Sequence, residues 1–282
     1  MKSASKSTVK KLVNQGVVLE YKNADTLRKN LASARNQLVT VADKEGFGSQ
    51  EYRFALDQSL GLFESKAKQN FDITGAIKMG LSDGKILAAE MITGGRSDRK
   101  NMVANFMGWK PLLPLAAISA KESEFADLIT GLTQDARILH LRAIQQGLAL
   151  GITTDGLIEQ ILGQGIKGRM GRDGIWRKAT HRAEAIARTV SNDLINYGAQ
   201  LTYAQMDLTT PEAGFEKVWQ TVSDNRTSDR CLSLSATRAK IEEPFTASDG
   251  WSGQRPPAHP NCRSRITLVA RRYQANWDLR YR

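Results

Sequence analysis

Between Arg255 and Arg263 the chain reads Arg-Pro-Pro-Ala-His-Pro-Asn-Cys-Arg, and no other stretch restricts the backbone so tightly. Pro256, Pro257 and Pro260 fix three φ angles and bias the residues before them to extended conformations. His259 and Cys262 are therefore held on a stiff turn that feeds the apolar run from Ile266 to Ala270. Upstream, the segment from Ser223 to Cys231 (Ser-Asp-Asn-Arg-Thr-Ser-Asp-Arg-Cys) carries the only other cysteine. Phe215 to Val222 and Arg265 to Arg271 are rich in β-branched and aromatic residues and read as strands, the second alternating cleanly. Paired antiparallel, they bring the two cysteine segments to one end of a small sheet.

The rest of the chain has helical periods. Leu27, Leu31, Ala34, Leu38 and Val41 step by four and three, and Tyr52, Leu56, Phe63 and Ala67 repeat the theme beyond a Gly46-Phe-Gly48 turn, which predicts a helical hairpin over 24–71. Glycines at 75, 80, 84, 94 and 95 predict shorter helices with mobile connections between Asp72 and Gly108. Ser119 to Gly151 reads as one or two helices with a buried stripe of Ile138, Leu141, Ile144 and Leu148. Thr154-Asp155 caps a short helix, and Ala179, Ala183, Ile186, Ala187, Val190 and Leu194 mark the clearest helix in the chain. Pro111 and Pro114 cannot sit in a regular helix interior, so the 282 residues divide near them, into a helical domain over 1–112 and a second domain over 113–282. The predicted class is α+β and predominantly helical: a helical N-terminal region, then a helical domain ending in a small antiparallel β clamp.

With 41% hydrophobic and 24% charged residues the chain is expected to fold rather than remain disordered. No apolar run is long enough for a membrane span, and the lysines at 2, 6, 10 and 11 are followed by no apolar signal segment. No membrane contact and synthesis in a reducing cytoplasm are expected. The net charge of +11 suits an anionic partner, nucleic acid first. Arg263, Arg265, Arg271 and Arg272 open an arginine-rich, aromatic-bearing C-terminal tail and are the candidate phosphate contacts; the same composition suits docking on an acidic protein ring.

Chemistry concentrates at Cys231, His259 and Cys262. Two thiolates and an imidazole suit zinc, and H-x-x-C spacing turns two ligands from one turn toward one ion; a fourth ligand is missing unless Asp229 supplies it. Alternatively His259 bonds backbone in the proline turn and both cysteines are small buried hydrophobes, and this is the preferred expectation, with no cofactor. A Cys231–Cys262 disulfide is a third option. The run Gly163-Gln-Gly-Ile-Lys-Gly168 matches G-x-G-x-x-G, but helical periodicity precedes it where a dinucleotide site needs a strand, so it reads as a solvated basic linker. Asp224, Arg226 and Asp229 read as a turn bonding its own backbone. His140 and His181 read as packing or surface residues, and no catalytic residue is assigned.

Trp219, Asp224, Arg226 and Thr227, followed by Pro256, Pro257, His259, Pro260, Asn261, Cys262 and Arg263, with Arg182-Ala-Glu-Ala-Ile-Ala-Arg-Thr189 ahead of them, resemble the phage Mu F-like minor head (head morphogenesis) proteins. Relatives carry further cysteines where this chain has Leu234 and Ser264, a departure that bears on metal binding. The resemblance implies a virion component of few copies at the portal vertex, partnered by the portal and other capsid proteins and by viral DNA. Its implied role is head assembly, with DNA packaging or ejection as a further role. It implies no enzyme. The competing readings are a metal-dependent DNA-acting enzyme built on Cys231, His259, Cys262 and Asp229, and a DNA-binding protein ejected with the genome.

Overall fold

The computed structural model describes residues 6–93, 114–162, 174–209 and 214–270. Its helices are α1 (Lys6–Glu45), α2 (Gln50–Asn70), α3 (Ile73–Thr93), α4 (Leu115–Ala149), α5 (Thr154–Leu157), α6 (Ile175–Thr209) and α7 (Asp229–Leu234), and α5 runs on into a π turn over Ile158–Leu162. The strands are β1 (Phe215–Gln220), β2 (Arg238–Lys240), β3 (Phe245–Thr246), β4 (Ser252–Gly253) and β5 (Arg265–Ala270). The fold is predominantly helical and ends in a small antiparallel β region, as the sequence predicts. No described helix is long and apolar enough to cross a membrane.

Two compact units form, each from separate stretches of chain: Met1–Tyr21, Asp72–Ile118 and Arg188–Arg282 in one, Lys22–Phe71 and Ser119–Ala187 in the other. The division expected at 112–113 falls on residues outside those described. In the second unit the predicted hairpin seams are present. Leu27, Leu31 and Leu38 are buried, as are Tyr52, Leu56, Phe63 and Ala67, with Val41 only partly covered. Gly46 adopts φ 78° after α1, a conformation natural to glycine, and Ser49 caps α2 by accepting from the Tyr52 N–H at 3.0 Å. The stripe expected on α4 holds at Ile144, which is buried, but not at Ile138 and Leu148, which are exposed; Phe125, Ile129, Leu132, Ala136, His140 and Ala143 are buried instead. A histidine belongs to this face because His140 bonds the Tyr52 hydroxyl at 2.7 Å and lies edge-on to Trp176, whose ring N–H donates to the Leu31 carbonyl at 2.9 Å. Burial lowers the His140 pKa to about 4 and keeps the ring neutral. His181 is exposed.

In the first unit, α3 is one 21-residue helix rather than the shorter pieces expected, for its described glycines are contact points and not breaks. An added Cβ at Gly80 would fall on the Ile195 carbonyl, and one at Gly198 on the Ile77 carbonyl, so α3 and α6 touch backbone to backbone. The three-stranded sheet has the order β2-β1-β5, with β1 and β5 antiparallel and Trp219 opposite Ile266. Trp219 is wholly buried, edge-on to Phe245 and Trp251. β5 is buried along both faces: Ile266 and Leu268 join the core around Trp219, and Arg265 and Thr267 line a small cavity with Asp83, Leu12 and Leu87. Arg265 is paired there with Glu20 at 2.8 Å and with Asn192, which explains why α1 begins before the predicted residue 24: its buried face includes a glutamate that apolar periodicity does not register.

Two outcomes follow. Gly80→Ala or Gly198→Ala should destabilise by about 1–3 kcal/mol or more because backbone cannot yield, whereas Gly61→Ala, with open space around it, should stabilise by about 0.5–1 kcal/mol; urea unfolding reads both. Burial raises the Asp83 pKa to about 7 from 3.8. Between those values the folded state holds a proton that the unfolded state has lost, so this carboxyl makes stability fall as pH rises through the window. Asp83→Asn should therefore gain on wild type from pH 5 to pH 8, by about 2–3 kcal/mol; an unchanged difference contradicts the burial argument.

Candidate metal centre

The turn that presents the two C-terminal ligands follows from its residues. The Cys262 N–H donates to the His259 carbonyl at 3.2 Å, with Pro260 second and Asn261 third at φ 59°. Proline supplies the fixed φ of the second position and asparagine tolerates the left-handed third, as a type II turn demands. His259 and Cys262 therefore leave the same side of the turn. Cys231 comes from α7, whose cap Ser228 accepts from the Cys231 N–H at 3.3 Å. The Thr221 hydroxyl, just past β1, donates to the Cys231 carbonyl at 2.9 Å, and Arg230 donates to the Ala258 carbonyl at 2.7 Å, tying helix, strand and proline segment together.

Helix α6 grips the turn from its other side. Thr189 accepts from the Asn261 N–H at 2.9 Å, Asn192 donates to the Cys262 carbonyl at 2.7 Å, and Asn196 donates to the Ser264 carbonyl at 3.2 Å while accepting from the Ile266 N–H at 2.9 Å. These side chains lie one turn apart on one helix face. Sequence reasoning singled out the patch ending at Thr189 but missed both asparagines. Their signal is a pair of amides at i and i+4 in a helix interior, where asparagine is unfavourable unless its amide is engaged elsewhere.

The Cys231 sulfur lies 3.1 Å from His259 Nε2 and 3.6 Å from the Cys262 sulfur, and all three donor atoms fall within 4.8 Å of one another. A tetrahedral zinc with bonds of about 2.3 Å to sulfur and 2.0 Å to nitrogen separates two sulfurs by roughly 3.8 Å and sulfur from nitrogen by roughly 3.5 Å. The two distances from the Cys231 sulfur are thus close to edges of such a polyhedron. His259 does bond backbone, as expected, but through Nδ1, 2.8 Å from the Pro260 carbonyl. That bond places the proton on Nδ1 and leaves Nε2 with its lone pair toward the sulfurs, the arrangement a metal-binding histidine needs. The expectation of no cofactor is corrected accordingly: these residues form a site able to hold zinc. Both cysteines are buried and carry free thiols.

The two thiols divide their acidity. Hydrogen bonding from Cys262, with help from the Ser264 hydroxyl at 3.4 Å, holds the Cys231 thiol well below its usual range, whereas donating that bond, together with burial, pushes Cys262 up. Asp229 is exposed and outside the donor group. Asp224 accepts from the Arg226 N–H at 3.0 Å and pairs through both oxygens with Arg263 at 2.6 and 2.8 Å, which holds its carboxyl well below the usual range. Of the predicted phosphate contacts, Arg263 is committed to Asp224 and Arg265 is buried with Glu20, while Arg271 and Arg272 lie outside the described residues. The glycine run 163–168 also lies outside them; the residues before it are helical, not a strand. Equimolar zinc should raise the unfolding midpoint and release protons, because thiols must ionise to bind the metal. Cys262→Ser should abolish both effects, and an unchanged wild-type midpoint would contradict the site.

No curated protein and no solved structure matches the chain. Residues 141–267, less than half of the 282, match the family model described as phage Mu protein F like protein. The match begins within α4, runs through α6 and the metal centre, and ends in β5, taking in all the motifs that carry the resemblance. The partial match over residues 141–267 is consistent with a phage head-morphogenesis protein.

Proposed function

We propose that this chain is a minor head protein, present in few copies, that associates with the portal and other capsid proteins at one vertex and assists head assembly. It acts by binding, without turnover of its own, and extends its role to packaging or ejection of viral DNA. It is made in the host cytoplasm and kept in the virion. The observation that carries this reading is the family match over residues 141–267, because that stretch contains the helix, turn and strand that together build the clamp.

Physical features support the reading. The helix-gripped turn offers a stiff docking element, since its carbonyls and N–H groups are tied to α6 by side chains rather than by solvent. The charge of +11 favours contact with DNA; of the four arginines the sequence assigns to it, Arg263 and Arg265 are engaged with Asp224 and Glu20, which leaves the role to Arg271 and Arg272. Deleting the gene is expected to leave host growth unchanged while giving defective heads or particles of reduced infectivity. Mass spectrometry should find the chain in purified particles at low copy, and comparison before and after genome release reports whether it leaves with the DNA. Absence from virions and procapsids alike, or metal-dependent DNA cleavage by the purified chain, would sink the proposal.

A further inference from the structure

The triad supplies three ligands, and zinc wants four. The Ser264 hydroxyl donates to the Cys231 sulfur at 3.4 Å and so acts as a partner of the thiolate. Beside the triad lies a small cleft whose wall includes Cys231 and His259 together with Arg226, Thr227, Asn261 and Arg263. Its charges can be counted. Two thiolates offset a divalent ion, Arg263 is offset by Asp224, and Arg226, exposed and without an ion pair among the described residues, remains. The cleft with its ion thus carries one positive charge and matches one monoanion. Among the described residues no aspartate or glutamate lines it, so the chain's described part supplies neither that anion nor a carboxylate general base.

We propose that the Cys231–His259–Cys262 centre holds zinc with its fourth position open to this cleft, and that a carboxylate of another protein closes it while Arg226 binds the carboxylate's second oxygen. Aspartate and glutamate oxygens are ordinary zinc ligands, and a guanidinium reads the two oxygens of a carboxylate in one plane. A DNA phosphodiester carries the same charge but lies outside the usual protein ligand set of zinc, so it is the opposing outcome. The assignment gives the chemistry of one partner contact within the assembly role, and its test does not depend on particles.

The full chain is loaded with Co²⁺ in place of zinc and its visible spectrum followed during titration with acetate or dimethyl phosphate. Acetate should shift the cobalt bands saturably and dimethyl phosphate should not at equal concentration. Arg226→Ala should leave the acetate-free spectrum intact and weaken acetate about tenfold or more. Cys262→Ser should weaken the sulfur-to-cobalt absorption. An unmoved spectrum in acetate, a shift by dimethyl phosphate as large as that by acetate, unchanged acetate affinity in Arg226→Ala, or undiminished sulfur absorption in Cys262→Ser would each overturn the assignment. Loss of head association with an intact acetate response would instead reject the assembly role alone.

Discussion

The grip of one helix on one turn holds this site together. Asn192 and Asn196 are buried amides whose partners are backbone groups between Cys262 and Ile266. Leaving such a group unpaired in the interior costs about 1–3 kcal/mol, so the bonds fix where α6 lies against the turn as well as adding stability. Without them the proline segment would still be stiff and tied to the Cys231 helix through Arg230, but it would lose most of its support from α6. The Arg265–Glu20 pair adds a second constraint on the same strand. A buried pair of this kind is weak evidence for stability, since desolvation offsets much of its attraction, but removing either partner strands a charge.

The geometry also explains how a site can look incomplete by ligand count and still be prepared for a metal. Counting asks for four donors and finds three. Geometry asks where each donor points, and here the Pro260 carbonyl selects the histidine tautomer while a left-handed Asn261 lets the chain turn between the two C-terminal ligands. The remaining coordination position is then a surface property of the cleft, not a defect of the core. That is why the site is read as a place of contact between proteins.

Much of the fold was legible in the sequence. Seams of large aliphatic residues marked the helices of 24–71, and β-branched runs marked β1 and β5. What was less legible followed from polar burial and from small residues. Glu20 and His140 are core residues because each has a specific partner far away in sequence, Arg265 and Tyr52, and local periodicity carries no trace of such a partner. Gly80 reads as a break although it is, with Gly198, a contact point between helices, a role visible only once both helices are placed. At the site, the proline turn announced the ligands, while the asparagines that hold it and the tautomer that arms it needed coordinates.

The account stands most directly on the coordination shell of the purified chain. X-ray absorption at the zinc edge is predicted to give two sulfurs at about 2.3 Å, one imidazole nitrogen and one oxygen at about 2.0–2.2 Å. A shell of nitrogen and oxygen alone, with no sulfur, would contradict it.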